Sequence, residues 1–285
     1  MKFLASPTAV KLRSVARSLG LTRLLAGALD RRARAARRAR LRYQRERPDE
    51  ARVTLGGEEI RLRVATEDEY VQACSFRYEA PLVEALGRHL AEGDCYWDIG
   101  ANVGAYSCAL GKFLEQRSGG VVAFEPDPWC HSRLDENLAL NQLTRATSHR
   151  MALADREDVM GFAQDPASAT TTGHLVSDGR GAAGRDVIEV QVTSGDKLLE
   201  QGRVPAPNVL KIDTEGYECE VLDGLRDTLA SPECRFVLVE VHFSVLNERG
   251  LKDAPRRIEL ALREAGFSRL EWLDLSHLAA SKVAL

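Results

Sequence analysis

The 285-residue chain carries 39 Lys or Arg against 42 Asp or Glu, a net charge of -3, with 44% hydrophobic and 28% charged residues. This is ordinary globular composition, enough to bury a sizeable core, and it predicts one main domain with an appendage. No apolar run approaches the roughly 20 residues needed to span a bilayer, and Lys11, Arg13 and Arg17 interrupt any signal-peptide core, so a soluble, cytoplasmic chain is expected.

The charge is unevenly spread. Residues 1 to 48 hold fourteen Lys or Arg against only Asp30 and Glu46, a net of +12, which leaves -15 for the rest. A basic arm on an acidic body suggests phosphate contact at an anionic membrane, peripheral at its inner face; nucleic acid is the less expected partner, and a merely solvated Arg-rich helix is equally compatible. Six cysteines, at 74, 95, 108, 130, 219 and 234, form no CxxC pair, so neither a zinc site nor a disulfide framework is indicated, and Cys95, Cys108 and Cys234 read as buried thiols.

In chain order, residues 8 to 46 favour helix, with a loose apolar face from Val10 to Leu25, and Pro48 ends it. ARVTLGGEEIRLRV reads as a hairpin around Gly56 and Gly57. Tyr78 to Leu90 reads as a helix. CYWDI then begins an alternation of strands and helices: a helix from Val103 to Leu114, VVAFE, a helix from Pro128 to Leu140, and a strand over 146 to 151. The polar, glycine-rich stretch from 161 to 185 reads as a loop or lid. DVIEVQV, NVLKID, a helix from Tyr217 to Leu229, RFVLVEVH, a helix from 254 to 265 and two short C-terminal strands complete the chain. The expected fold is α/β: a doubly wound, mostly parallel seven-stranded sheet with an antiparallel C-terminal hairpin and an N-terminal helical basic arm. The expected divisions are arm 1–50, hairpin and helix 51–94, and main domain 95–285.

DCYWDIGANVGAYS, residues 94 to 107, puts Asp98 and two glycines where an apolar strand ends and a helix begins. Doubly wound sheets bind ligands beyond the carboxyl ends of such strands. Gly100 and Gly104 allow a tight turn and a close ligand approach. One helix and one strand later comes Glu125, whose carboxylate at the neighbouring strand end can accept hydrogen bonds from a ribose diol. A dinucleotide site would instead want G-x-G-x-x-G, and Asp98 would repel a pyrophosphate but attract an ammonium. Both carboxylates fit S-adenosylmethionine.

DIGANVG (98–104), FEPDP (124–128), MALAD (151–155), VTSGDKLLE (192–200), KIDTEGYECEVLDGL (211–225) and VEVH (239–242), in that order, resemble the FkbM family of class I S-adenosylmethionine-dependent methyltransferases. Ser194 and Gly195 depart from the family's usual pattern, and the arm lies outside the resemblance. The resemblance implies a Rossmann-like fold, S-adenosylmethionine held by Asp98, Gly100, Ala101, Asn102, Gly104, Glu125, Pro126 and Ala152, and O-methylation of sugars, polyketide-like metabolites or lipid-linked glycans.

A hydroxyl acceptor must lose its proton, which calls for a general base or an acidifying metal. The fourth and fifth strand ends offer Asp213 with Glu215 and Glu240 with His242, an acid, base or metal cluster by strand alternation. Lys211 lies deeper and is a candidate partner for a carboxylate. The same strand ends allow a Mg2+ on Asp213, Glu215 and Glu240. The 164–186 loop, with His174, Arg180 and Arg185, is a candidate cover for a polar acceptor. A glycan or glycolipid O-methyltransferase is the leading expectation. The alternatives are an RNA methyltransferase anchored by the arm and a non-catalytic cofactor-binding scaffold.

Overall fold

A computed structural model describes residues 22–164, 173–176 and 186–282. Helix α1 (Thr22–Glu46) is the described part of the arm, and the apolar stripe from Val10 to Leu25 lies outside the described side chains. Its C-terminal half is docked: Ala39 and Tyr43 are buried, and the Tyr43 hydroxyl donates to the Ala65 carbonyl at 2.8 Å. Strands β1 (Glu50–Leu55) and β2 (Glu58–Arg63) form the expected hairpin, turning on Gly56 and Gly57 at φ +60° and +86°.

Helix α2 (Glu67–Ser75) was not expected from the apolar pattern. Its start is set by a capping pair, with Thr66 Oγ1 accepting from the Glu69 amide at 3.2 Å while Glu69 Oε2 accepts from the Ala65 amide. The segment read as one helix from Tyr78 is instead a 3-10 turn (Phe76–Glu79) followed by α3 (Ala80–Gly87).

The main sheet has seven strands in the order β12, β13, β11, β10, β3, β4, β5. They are β3 (Cys95–Ile99), β4 (Gly120–Phe124), β5 (Ala146–His149), β10 (Val209–Ile212), β11 (Phe236–Glu240), β12 (Arg269–Trp272) and β13 (His277–Ser281). The run from β11 to β5 is parallel, and β13 is antiparallel to both its neighbours, as expected. Because strand side chains alternate, the sheet has two separately packed faces. Tyr96, Val121, Val209 and Leu238 pack under the hairpin, α2, α3, α4 (Ala105–Glu115) and α5 (Pro128–Leu140). Trp97, Val122, Leu210 and Val237 pack under α6 (Gly195–Glu200), α7 (Glu218–Asp223) and α10 (Ala254–Glu264). Segment 51–94 thus covers one face of the sheet and shares its core. The C-terminal elements also include α8 (Arg226–Ala230) and α9 (Phe243–Glu248). The helix expected from Tyr217 to Leu229 is broken into α7 and α8 at Gly224, where any Cβ would fall 2.0 Å from the Ala154 carbonyl.

A second sheet, ordered β6, β9, β7, β8, corrects the expectation of a continuous loop over 161–185. It comprises β6 (Ala152–Leu153), β7 (Asp158–Ala163), β8 (His174–Val176) and β9 (Val187–Thr193). Phe162, Leu175, Val190 and Val192 give it a small core of its own. The remaining part of that stretch, including Arg180 and Arg185, lies outside the described residues. All six cysteines are free, five of them buried, and Cys74 is half-buried. Among the described residues no helix is long and apolar enough to cross a membrane.

Candidate active site

β3 is the central switch of the sheet: its crossover leads to β4 on one side, while β10 is its neighbour on the other. The loops leaving β3 and β10 therefore meet at the carboxyl edge, where ligands bind in such folds. They meet very closely. Gly100 has φ +79°, and a Cβ there would lie 1.8 Å from the Asp213 carbonyl oxygen. Only glycine satisfies both the left-handed backbone and that contact.

A cleft opens above this junction. Gly100, Asn102, Glu125, Pro126 and Ala152 of the expected cofactor residues line it, with Asp213, Thr214 and Glu215 at one end. Phe124, Met151, Leu153, Phe162 and Leu175 supply apolar walls, so the second sheet forms part of the binding surface. Glu125 is buried and its carboxylate is fixed by the backbone: Oε2 accepts the Asn102 amide at 2.8 Å and Oε1 the Asp127 amide at 2.9 Å. Each oxygen keeps further acceptor capacity. Burial pushes this carboxyl up to about 8, against the pull of the two amides. Asp127 then caps α5, accepting from the Trp129 and Cys130 amides.

Three expected cofactor residues do not line the cleft. Asp98 is fully buried and faces the opposite side of β3 from Ile99, which does line it. Two successive strand residues cannot share a face. Asp98 accepts from the Ser107 hydroxyl at 2.6 Å and lies 3.7 Å from Lys211 Nζ. The Gly100 and Ala101 amides both donate to the Phe124 carbonyl, so they are not free to dock a ligand. Gly104 lets α4 start against Leu134, 2.4 Å from where a Cβ would be.

At the β10 end, Lys211 bridges Asp98 and Asp213, its Nζ 2.9 Å from Asp213 Oδ2. Burial would lower this lysine, but Asp213 and Asp98 outweigh it and keep it charged. Burial would raise Asp213, yet Lys211 and His242 hold it below the usual carboxylate range. Glu215 sits at φ +50°, a strained conformation for a residue with a side chain. Its carboxyl reaches His242 Nε2 at 3.4 Å, and Asp213 reaches the same nitrogen at 3.6 Å. The other ring nitrogen is held by Glu218 Oε1 at 2.7 Å. Burial works against the charged imidazole, but the Glu218 bond and the Asp213 and Glu215 charges lift it to about 10. These contacts favour the charged imidazolium over the neutral ring. Burial pushes Glu215 up to about 7 despite His242, the value a general base needs near neutrality.

Glu240 is not drawn into this cluster. It pairs with His277 at 3.3 Å, and His277 is anchored by Asp274. The ligand-atom group that does converge is Asp213, Glu215 and His242, within 4.8 Å of one another. It does not fit a Mg2+ site of Asp213, Glu215 and Glu240: Glu240 is held by His277, the third converging ligand atom is the His242 nitrogen, and Mg2+ prefers oxygen ligands.

Two residues escaped the sequence reading. Glu218 is fully buried, accepts the Gly216 amide at 2.8 Å and orients His242. Its signal was the carboxylate two residues beyond a glycine turn. Glu79, at the end of the 3-10 turn, lies beside Tyr106 and Lys211, and burial pushes it up to about 7. Nothing in YEAPLVEAL separates it from a surface glutamate.

The model of the methyltransferase FkbM domain matches residues 98–269. The chain is 32% identical over 191 residues to the hexuronic acid methyltransferase AglP of Haloferax volcanii, covering 67% of this chain and 74% of that protein. It is 28% identical over 180 residues to the 31-O-demethyl-FK506 methyltransferase FkbM of Streptomyces tacrolimicus, covering 55% and 68% respectively. The crystal structure of an FkbM methyltransferase from Methylobacillus flagellatus superposes with TM-score 0.45 at 14% identity, covering 74% of this chain and 53% of that one. The matched residues contain the cleft loops and the Asp213 to His242 cluster, and the chain belongs to the FkbM methyltransferase family.

Proposed function

We propose that the protein transfers a methyl group from S-adenosylmethionine to a carbohydrate hydroxyl, with Glu215 as the base that takes the hydroxyl proton. The observation that carries the cofactor reading is Glu125. Two backbone amides fix its carboxylate at the cleft wall, one on each oxygen, which leaves an acceptor position on each. That is the arrangement a vicinal diol requires. The apolar walls from Phe124, Leu153, Phe162 and Leu175 suit a planar base. When bound, the cofactor supplies an electrophilic methyl group.

The chain's own residues then have separable roles. Gly100 sets the spacing between the cofactor loop and the β10 end. Glu215 lines the cleft and is poised to accept a proton near neutral pH. The charged His242 ring, held by Glu218, keeps Glu215 and Asp213 in place, and Lys211 bridges Asp213 and Asp98. Alignment of acceptor and methyl donor supplies much of such a rate enhancement, and proton removal a further 10² to 10⁴ or so.

The carbohydrate class is supported by similarity to a protein named a hexuronic acid methyltransferase, of which the chain covers 74%. The test is incubation with methyl-labelled S-adenosylmethionine and a panel of uronic and neutral glycosides, followed by mass spectrometry of the products. Label on a sugar oxygen, lost in Glu215→Gln while S-adenosylhomocysteine still binds, is expected. Label that appears only on RNA or protein overturns the reading.

A further inference from the structure

Away from the cleft, α1, α2 and the 3-10 turn line a second, open groove. Its α1 side presents Arg31, Arg34, Arg38 and Arg42 at helical spacing, and Arg77 faces them from the turn. Arg34 pairs with Asp30 and Arg42 with Glu46. Arg31, Arg38 and Arg77 are exposed and meet no acidic side chain among the described residues. Three uncompensated guanidinium groups thus converge on one groove, a geometry suited to phosphate oxygens.

We propose that this groove is a docking surface for the anionic phosphate headgroups of a lipid bilayer. The ring chemistry favours a bilayer over single-stranded nucleic acid. Tyr78 is flanked by Arg32 and Arg77, each 5.0 Å from its centroid, so it is already engaged and offers no free face for stacking a base. The groove floor includes Ala35, Ala39 and Cys74, and Leu41 stands exposed at 57% beside Arg42. A bilayer accepts both the charges and an inserted apolar side chain, whereas a phosphodiester backbone takes only the charges. Tyr78 immediately precedes Glu79, which lies beside Lys211 at the catalytic edge. The inference stands on the charge geometry alone and does not depend on which acceptor is methylated.

The test is co-sedimentation of the full chain with phosphatidylcholine vesicles, with and without phosphatidylglycerol, at low and high salt. Binding that requires phosphatidylglycerol and weakens with salt is expected. An arginine near such a surface contributes about fivefold, so the triple variant Arg31→Gln, Arg38→Gln, Arg77→Gln is expected to lose affinity on the order of a hundredfold. The corresponding triple Lys variant retains most of it. An unchanged melting temperature and unchanged S-adenosylhomocysteine binding in both show that the fold is intact. Equal binding to neutral vesicles, or full binding by the Gln variant, overturns the proposal. So does a salt-sensitive affinity for RNA that the Gln variant loses while its vesicle binding persists.

Discussion

Replacing Gly100 by alanine perturbs the contact on which the whole site is built. The new Cβ would lie 1.8 Å from the Asp213 carbonyl oxygen and 2.8 Å from its carbonyl carbon. Real Cβ contacts essentially never fall below 3.0 Å, so the two loops must part by more than 1 Å. Two costs add. A left-handed conformation costs an alanine about 1 to 2 kcal/mol, and the forced backbone shift costs about 1 to 3 kcal/mol more. At about 2 °C per kcal/mol for a chain of this size, the melting temperature is expected to fall by roughly 4 to 10 °C. Gly202→Ala is the control, because Gly202 also has a positive φ of +63° but nothing lies within 4 Å of its would-be Cβ. It pays the conformational cost alone. Calorimetric titration with S-adenosylhomocysteine should show Gly202→Ala binding like the wild type. Gly100→Ala should lose affinity, and its turnover should fall by about 10² because a 1 Å displacement misaligns the reacting groups. Equal melting temperatures and equal affinities in the two variants would refute the argument that this contact sets the site.

Further outcomes follow from the charged cluster. Glu215→Gln removes the proposed base and should lower kcat by about 10² to 10⁴ while leaving the affinity for S-adenosylhomocysteine near wild type, as single-turnover and titration experiments can separate. The pH profile of kcat/KM should rise through about 7 as Glu215 ionises and fall near 10 as His242 loses its proton. His242 has a folded pKa above its ordinary value, so its stabilisation is complete below about 6.5 and is lost as pH rises through about 10. Denaturant midpoints should therefore decline over that alkaline range, and the decline should be reduced in Glu218→Gln, which breaks the His242 pair. That variant also leaves a buried charge network short of a partner, a loss of about 3 to 5 kcal/mol. At pH 9, where the Glu125 carboxyl is ionised, Glu125→Gln should weaken S-adenosylhomocysteine binding by about 1.5 to 3 kcal/mol for each charged hydrogen bond lost.

The sheet and the cleft loops were legible because their physics is local. Continuous apolar runs such as FVLVEV mark strands covered on both faces, and the Gly100 turn and the Glu125 strand end are each set by a few neighbouring residues. The orientation of Asp98 was legible in principle, since Ile99 beside it must face the other way, but the sequence does not say which of the two faces the ligand. The second sheet was obscured by the short span of HLV within a glycine- and serine-rich stretch. Helix α2 was announced by Thr66 and Glu69 rather than by any apolar stripe. The pairings of His242 with Glu218 and of Glu240 with His277 join strands and helices far apart in the chain, and spacing alone distributes those four groups differently.

The most direct measurement is a crystal structure of the protein bound to S-adenosylhomocysteine. Both ribose hydroxyls should lie within hydrogen-bonding distance of the Glu125 carboxylate, with the base among Phe124, Leu153 and Phe162 and the sulfur toward Glu215. A ligand bound elsewhere, or one whose ribose leaves Glu125 untouched, would contradict the account.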